Sequence, residues 1–423
     1  MHKGLALVES LALCFFAVYL LQLGWSVLSC SWQAKQQSGE YIRRSYDVVH
    51  KFDGMRRFDD FSGFPKLSTN TYVDNVLVNI DNDQNFKNAR ENATLLMLVR
   101  NRELEGALKS MRSLEDRFNR QYQYDWTFLN DVPFDNDFIE ATTAMASGKT
   151  QYGLIPSEEW DRPDWINETV FETSLQLMNE KGVIYGGSKS YRNMCRFNSG
   201  YFFRQELLLN YDYYFRVEPD VEYFCDFPYD PFKVMREQRK KYGFVISMYE
   251  YEDTIPTLWD AVEEFMEEYP ELIDFDTNSF DFITDSGLVG KNTPIIDSNS
   301  RYNLCHFWSN FEIADLRFFR SERYIKFFEF LDSKGGFYYE RWGDAPVHSI
   351  GVALLMRRDE IIHFDELGYY HIPFSTCPSS NLMRIAQRCV CDPDIDENID
   401  VRLNSCLMRW WKNGSGKFFM KHT

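Results

Sequence analysis

An aromatic run that ends in carboxylates constrains the fold more than any other segment of this chain. Residues 213–217 (YYFRV) have the composition of a buried strand, and Glu218, Pro219 and Asp220 follow directly. Such a strand places two acids, separated by one rigid proline, at the edge of a sheet. α/β folds bind ligands at that edge, and a hard metal held there can bind a diphosphate. Taken alone, the triplet is more typical of a turn, since Pro-Asp is ordinary turn chemistry.

A β-α-β pattern precedes this run. Residues 93–99 and 126–129 are short apolar segments that predict buried strands, and each is followed by polar residues, Arg100-Asn101 and Asn130-Asp131. Between them, apolar residues recur close to the helical period, at Leu104, Leu108, Met111, Leu114 and Phe118. The sequence therefore predicts an α/β fold in which a parallel sheet carries polar residues at the carboxyl ends of its strands.

Further elements follow along the chain. Residues 244–248 predict another strand. A helix is predicted from Thr257 to about Tyr269, and its start resembles a capping box because Asp260 lies three residues after the threonine. A second helix is predicted from about Ser321 to Leu331, with an apolar face and an end just before two glycines.

The N-terminus carries one segment that is long and apolar enough to span a membrane. Leu11 to Leu28 holds no charged residue, and its 18 residues would span about 27 Å as a helix, close to the roughly 30 Å hydrocarbon thickness of a bilayer. The segment predicts a signal anchor at 11–29 with a cytoplasmic tail at 1–10 and a lumenal C-terminus. A signal peptide cleaved before Cys30 also fits. Residues 30–88 show no sustained apolar period and predict a stem, with a packed small domain as the alternative, so that residues 89–423 form the lumenal catalytic domain.

Charge and cysteine usage narrow the function further. The net charge of −18 argues against a nucleic-acid partner, although local residues can still bind an anionic substrate. Cys14 and Cys30 belong to the membrane region, and the other seven cysteines predict up to three disulfides and one free thiol in an oxidising lumen. They are Cys195, Cys225, Cys305, Cys377, Cys389, Cys391 and Cys406. Because Cys389 and Cys391 lack the C-x-x-C spacing of a zinc or thioredoxin site, a cysteine metal cluster is not expected. The Cys- and Asp-rich segment from 380 onward predicts a stapled tail.

Four blocks concentrate side chains that could do chemistry. They are YRNMCRFNS (191–199), the Glu218 triplet, HFWSNFE (306–312) and RWGDAPVH (341–348), with YHIPF (370–374) downstream. Each also has a purely structural interpretation: Tyr191 and Arg192 could pack on the surface, and Asp344 before Ala-Pro could cap a helix. Glu312 could begin a helix, and His348 and His371 could be satisfied core histidines. No block decides between these interpretations alone.

Together the blocks resemble a known family. YRNMCRFNSG, YFRVEPDV, YGFVISMYE, TIPTLW, CHFWSNFEI, GGFYYERWGDAPVHS and GYYHIPF are similar, in the same order, to the fungal Golgi α-1,2-mannosyltransferases of the KTR family. The similarity runs from about Asn92 to Cys406. The resemblance implies a GT-A-type fold, a Rossmann-like mixed sheet flanked by helices, and a retaining transferase that uses GDP-mannose and Mn²⁺.

The resemblance also implies roles for particular residues. Glu218 matches the metal-binding glutamate and His371 the histidine that completes the metal site, with His348 as the second choice. A carboxylate and an imidazole suit Mn²⁺, which acts as a Lewis acid on the leaving GDP. Glu312 matches the proposed nucleophile under the mannose ring. The remaining matches are Tyr191 at the donor–acceptor junction and Asp344 as an acid that binds or deprotonates the acceptor hydroxyl. The candidates for donor binding are Arg100, Arg192, Arg216 and Asp220, with a structural contact as the alternative for Arg216 and a turn as the alternative for Asp220.

The predicted protein is thus a single-pass type II Golgi membrane enzyme that adds mannose in α-1,2 linkage to O- or N-linked glycans. Its expected partners are GDP-mannose, a mannose-terminated glycoprotein and the Golgi membrane. Alternatives are a mannosylphosphate transferase of the same family and a non-catalytic glycan-binding protein on the same fold. A glycoside hydrolase that uses Glu312 and Asp344 as paired acids is a further alternative.

Overall fold

The computed structural model describes residues 90–284, 301–395, 397–400 and 402–414, together with two short strands at 70–73 and 76–79. The chain divides into two units, Met1–Ser68 and Thr69–Thr423, and every described residue belongs to the second. The predicted anchor and most of the predicted stem lie outside the described residues. Among the helices that are described, none combines the length and the apolar character needed to span a bilayer.

The strands form one large sheet and three small ones. They are β1 (Asn70–Val73), β2 (Val76–Asn79), β3 (Ala93–Leu98), β4 (Asp125–Asn130), β5 (Thr150–Leu154), β6 (Tyr213–Arg216), β7 (Glu222–Tyr223), β8 (Tyr242–Phe244), β9 (Ser247–Tyr249), β10 (Cys305–Phe307), β11 (Glu312–Asp315), β12 (Ile361–His363), β13 (Tyr369–His371) and β14 (Phe374–Thr376). The large sheet has the order β12-β8-β11-β6-β3-β4-β5. The small sheets pair β1 with β2, β9 with β10, and β7 with β13 and β14.

Helices cover both faces of the large sheet. Those of seven or more residues are α1 (Leu104–Leu114), α2 (Asn136–Met145), α3 (Glu168–Glu180), α4 (Lys189–Gly200), α5 (Pro231–Glu237), α6 (Leu258–Glu268), α7 (Glu322–Ser333) and α8 (Asp344–Leu355). Shorter helices lie at Arg120–Tyr122, Ser157–Trp160, Phe280–Ile283, Leu316–Phe319, Gly336–Tyr339, Asn381–Ala386 and Leu407–Arg409. Serine caps α4 and α7: Ser188 Oγ accepts from the Tyr191 amide, and Ser321 Oγ from the Tyr324 amide.

One strand of the large sheet runs against the others. β3, β4, β5 and β6 are parallel to one another, and β8 is parallel to β12. β11 lies between β6 and β8 and is antiparallel to both. The first residue of β11 is therefore at the same sheet edge as the last residues of the other six strands.

Alternation along the strands divides the interior into two apolar clusters. Leu96, Tyr214 and Ala314 lie in the cluster that includes residues of α4, α6, α7 and α8. Leu95, Phe215 and Ile313 lie in the other, with residues of α1 and α5. Since successive side chains of a strand point to opposite faces, the two clusters cover the two faces of the sheet. Tyr214, Arg216 and Glu312 belong to the face under α4, α7 and α8.

Three disulfides fasten the C-terminal tail to the body. Cys225 pairs with Cys389, Cys305 with Cys406, and Cys377 with Cys391, while Cys195 is buried and free. This confirms the prediction of three disulfides and one thiol among the seven cysteines. Cys305 lies in β10, Cys225 follows β7 and Cys377 follows β14, so each of these disulfides joins the tail to a sheet.

The predicted elements are confirmed for β3, β4 and β6, for the parallel pairing of β3 with β4, and for α1, α6 and α7. Two details are wrong. Residues 244–248 are not one strand, because the chain leaves the large sheet after Phe244 and pairs with β10 from Ser247. Thr257 is the N-cap residue of α6, but its side chain makes no capping hydrogen bond, and its hydroxyl donates to Glu340 Oε1 at 2.8 Å.

Candidate active site

A cleft of about 340 Å³ opens at the carboxyl edge of the large sheet. It is lined by the ends of β3, β4 and β6 and by one side of α4. Seven of the residues predicted for the site line it: Arg100, Tyr191, Arg216, Glu218, Asp220, Glu312 and His348. Arg192, Asp344 and His371 are not part of this lining. Because polar side chains follow the strand ends, the sheet itself brings residues from distant parts of the sequence to one place.

Arg216 lies at the centre of the charged groups. It is the last residue of β6 and is directly opposite Glu312 on β11. Its Nε donates to Glu218 Oε1 at 3.0 Å, and its Nη1 donates to Asp344 Oδ2 at 2.5 Å. Only 12% of its side chain is exposed. One guanidinium therefore links two carboxylates that come from different elements.

Glu218 faces His371. Glu218 Oε2 is 3.7 Å from His371 Nε2, and His371 Nδ1 is 2.9 Å from the Ile372 carbonyl oxygen. A carbonyl can only accept, so Nδ1 carries a proton, and in the neutral ring the Nε2 lone pair faces Glu218. Burial by itself would raise the pKa of Glu218, but Arg216 and His371 lower it to about 2. The pair thus presents an ionised carboxylate and an imidazole nitrogen side by side.

This pair has the donor set for a divalent cation such as Mn²⁺, with the imidazole fixed by a hydrogen bond from its other nitrogen. Among the residues that the structure describes, no three His, Cys, Asp or Glu side chains form a set that could hold a metal. Glu218 and His371 would therefore contribute two ligands and leave positions for ligand oxygens and water.

Glu312 is completely buried and yet has two specific partners. Its Oε2 is 2.9 Å from His348 Nδ1, and its Oε1 accepts the hydroxyl hydrogen of Tyr214. Burial would raise the pKa of Glu312, but His348 and Arg216 hold it below its ordinary value. Glu312 begins β11, so the interpretation of this residue as a helix start is wrong. An ionised carboxylate at the floor of a cleft can stabilise a developing positive charge or attack it.

Asp344 lies behind Arg216 at the start of α8. Its Oδ2 accepts from Arg216 and, at 2.8 Å, from Ser309 Oγ. Burial would raise the pKa of Asp344, but Arg216 and His348 lower it. Gly343 is the N-cap of α8 and Asp344 its first residue, so Asp344 is not the helix cap that its Ala-Pro context suggests. Its carboxylate accepts hydrogen bonds from Arg216 and Ser309.

Tyr191 forms part of the cleft wall. Its ring stacks on Tyr185 with centroids 4.5 Å apart, and the guanidinium of Arg341 lies 5.2 Å from its centroid. Burial raises the pKa of Tyr191 well above its ordinary value, so its hydroxyl stays protonated. A phenol held in this way can donate a hydrogen bond to a ligand oxygen.

Arg100 and Asp220 lie at the outer part of the cleft. Arg100 Nη1 is 3.7 Å from Glu103 Oε1 in the turn that follows β3. Asp220 has a left-handed backbone with φ of 60°, and its amide donates to the Gly106 carbonyl at 3.1 Å. A Cβ at Gly106 would lie 2.5 Å from Asp220 Oδ2. The Pro-Asp pair is therefore a turn, as its chemistry suggests, and this turn still leaves Glu218 in the cleft.

The structure does not bring Arg192 to the cleft. Its side chain is completely buried, and its donors go to the Glu340 and Gly186 carbonyls and to Ser174 Oγ. These contacts tie α4 to neighbouring segments, and the buried guanidinium is not part of the cleft lining. His348, the second choice as a metal ligand, has both ring nitrogens engaged, with Glu312 and with the Asn198 carbonyl.

The sequence analysis did not identify Tyr214 or Ser309 as site residues, and it did not identify the hydrogen bond between His348 and Glu312. Tyr214 could have been found, because residues 214, 216 and 218 alternate on one face of the predicted strand. Ser309 lies three residues before Glu312, in a loop without any pattern that marks it. Asn130 was noted only as a strand end; its Oδ1 accepts from the Asp131 amide, and its Nδ2 is buried without a partner in the cleft wall.

The known proteins that this chain resembles are mannosyltransferases. The family model described as glycolipid 2-alpha-mannosyltransferase matches residues 64–415. The probable mannosyltransferase KTR2 of Saccharomyces cerevisiae is 64% identical over 417 residues, which are 98% of this chain and 96% of KTR2. The alpha-1,2 mannosyltransferase KTR1 of the same yeast is 51% identical over 74% of this chain and 76% of its own length.

A solved structure has the same fold. The Mn/GDP form of core-mannan synthase A (CmsA/Ktr4) from Aspergillus fumigatus superimposes with a TM-score of 0.71 and 39% sequence identity. The match covers 79% of this chain and 89% of that one. The mixed sheet flanked by helices that the sequence predicts is therefore confirmed.

Proposed function

Because the chain belongs to the glycolipid 2-alpha-mannosyltransferase family, we propose that it transfers mannose from GDP-mannose, with retention, to mannose of protein-linked glycans in α-1,2 linkage. The cleft supports this reaction because it joins a buried, ionised carboxylate to a cation-binding pair. Glu312 lies across one strand pair from Arg216, which in turn contacts Glu218. A retaining glycosyl transfer needs these two functions a short distance apart, one for the sugar and one for the diphosphate.

Glu218 and His371 would hold Mn²⁺ together with the diphosphate of the donor. The ion supplies Lewis-acid stabilisation of the negative charge on the departing GDP. Arg216 faces the same position and contributes a second positive charge from the protein. Arg100 and Asp220, at the outer part of the cleft, are the further donor contacts that we propose, whereas the contacts of Arg192 give it a structural role.

Glu312 acts on the mannose. Its charge stabilises the oxocarbenium-like carbon on the face away from the diphosphate. Tyr191 borders the cleft beside it and is placed to donate a hydrogen bond at the junction of donor and acceptor. Asp344 remains the proposed contact of the acceptor hydroxyl, and it would use its second oxygen because Oδ2 is occupied by Arg216 and Ser309.

We also propose that the chain is a single-pass type II Golgi membrane protein, anchored through residues 11–29 with the catalytic part in the lumen. Three disulfides among the described residues favour a compartment that is oxidising. The acidic cleft floor and the net charge of −18 favour a sugar acceptor over a nucleic acid.

The test is transfer of mannose from GDP-mannose to a panel of mannosides with Mn²⁺, followed by linkage and anomeric analysis of the product. We expect an α-1,2-linked product, loss of activity on chelation and recovery with Mn²⁺. Glu218→Ala should weaken Mn²⁺-dependent GDP binding, while Glu222→Ala should not, because Glu222 is an exposed glutamate of β7 outside the cleft lining. A mannosylphosphate product, hydrolysis without transfer, or mannoside binding without turnover would each refute the proposal.

A further inference from the structure

Glu312 is held by a histidine that the proposed reaction does not yet use. His348 is 1% exposed and lies in the second turn of α8, with its Nδ1 2.9 Å from Glu312 Oε2. We propose that His348 is a positioning residue, which keeps the Glu312 carboxylate ionised and aimed at the sugar. This proposal rests on the function proposed above. Both ring nitrogens of His348 bind protein groups, so His348 would act on the substrate only through Glu312.

The hydrogen bonds fix the protonation of the ring. His348 Nε2 is 2.9 Å from the carbonyl oxygen of Asn198, and a carbonyl can only accept, so Nε2 carries a proton. If Nδ1 had no proton, its lone pair would face a carboxylate oxygen at hydrogen-bond distance. The contact therefore requires a second proton between His348 and Glu312. With that proton on the imidazole, His348 is a cation that donates to an anion.

The ring cannot turn away from this arrangement. Its centroid is 4.9 Å from that of Phe319, 6.0 Å from Phe202 and 6.2 Å from Tyr324. Since the imidazole is enclosed by aromatic rings and bonded at both nitrogens, Glu312 Oε2 has a fixed donor. Tyr214 fixes the other oxygen. The carboxylate thus meets a substrate without first having to reorient.

The groups around the pair favour its charged form. Glu312 faces Arg216 and Tyr214 from β6, Tyr242 from β8 and Tyr324 from α7. His348 faces Arg216, and from its own helix it faces Asp344. Burial would lower the pKa of His348, but Glu312 raises it above its ordinary value. Among the groups that the structure places around His348, Arg216 opposes its charge, and Arg216 is itself paired with Glu218 and Asp344.

The decisive variant is His348→Gln, which can still donate to Glu312 but carries no charge. We expect kcat to fall at least about tenfold and the KM for GDP-mannose to change less than about twofold. The acidic limb of the kcat–pH profile should move upward by about one to three pH units, because Glu312 loses the cation that keeps it ionised. The matched control is His363→Gln, a buried histidine of β12 whose Nε2 is 3.0 Å from the Val245 carbonyl. This control should leave the acidic limb in place.

A lower kcat with an unmoved acidic limb would overturn the proposal, since it would indicate a purely structural role. A second measurement does not depend on folding of the His348→Gln chain or on mannose transfer. In the full-length chain carrying His371→Gln and ¹⁵N-labelled histidine, NMR at pH 8 should show a histidine protonated on both nitrogens. Absence of that signal would refute the proposal even if the enzyme is active. Failure of the wild-type chain to transfer mannose would instead count against the proposed function, and the NMR result would still decide the state of His348.

Discussion

Replacing Arg216 by methionine should destabilise the protein more than any other single loss of a cation that we consider. Methionine keeps the length of the apolar stem but leaves Glu218 and Asp344 without the guanidinium that joins them. The Asp344 side chain is 7% exposed and that of Glu218 29%. Removing one partner of a buried ion pair costs about 3–5 kcal/mol. Because solvent screens Glu218 in part, we expect a loss of about 3–4 kcal/mol at pH 7.

The assay is equilibrium urea unfolding, compared with Arg357→Met as the control. Arg357 and its partner Asp359 are 56% and 68% exposed, so that control should leave the free energy of unfolding almost unchanged. Arg216 holds the pKa of both Glu218 and Asp344 below the ordinary values. The stabilisation is therefore present at neutral pH and is lost as the pH falls through those lowered pKa values. In the variant the two acids protonate at higher pH, so its deficit should shrink on acidification.

A double-mutant cycle isolates the contact. In an Asp344→Asn background, Arg216→Met removes an arginine that no longer neutralises Asp344, so the two losses should fall short of additivity by about 1–3 kcal/mol. Strict additivity, or a loss below about 1 kcal/mol for Arg216→Met alone, would refute the view that Arg216 neutralises the carboxylates of the cleft.

Three further predictions concern other groups. Glu312→Gln should reduce transfer at least about a thousandfold while GDP binding persists, and normal turnover would remove Glu312 from the centre of the reaction. Asp230→Asn should gain stability relative to wild type as the pH rises. Burial raises the pKa of Asp230 to about 6, so by linkage the wild type loses about 2 kcal/mol between pH 4 and 8. An equal pH dependence of urea unfolding for both chains would contradict this. Arg192→Lys should lower stability by about 2 kcal/mol, since lysine cannot reach the two carbonyls and the serine together, while the GDP affinity of the folded chain stays within about twofold; a selective loss of GDP affinity would return Arg192 to the donor site.

Local pattern was sufficient to predict the elements that build the cleft. The apolar runs that became β3, β4 and β6 are each followed by polar residues, and the parallel sheet places those residues at one edge. The cysteine count predicted the three disulfides. The order of the aromatic and acidic blocks, which resembles one family, predicted the mixed sheet and the residues that meet in the cleft.

Sequence pattern did not predict features that depend on tertiary contacts. Arg192 belongs to a polar-looking helix, and only the folded chain brings the carbonyls that bind its buried guanidinium. The run from Phe244 to Met248 is apolar except for Ser247, and nothing in it marks the change of partner strand. The pairing of His348 with Glu312 joins residues that are 36 positions apart and depends on how α8 packs over the sheet.

The reversed direction of β11 determines where this chain tolerates changes in length. Glu312 faces the cleft only because of the register in which it pairs with Arg216, and a slip by one residue would turn it to the opposite apolar cluster. β10 ends at Phe307, and Cys305 within it is tied to Cys406. The stretch between β10 and β11 is thus anchored on both sides. An insertion or deletion there would misplace the Glu312 carboxylate, so substrate preference in relatives of this protein should diversify through loops elsewhere on the rim of the cleft.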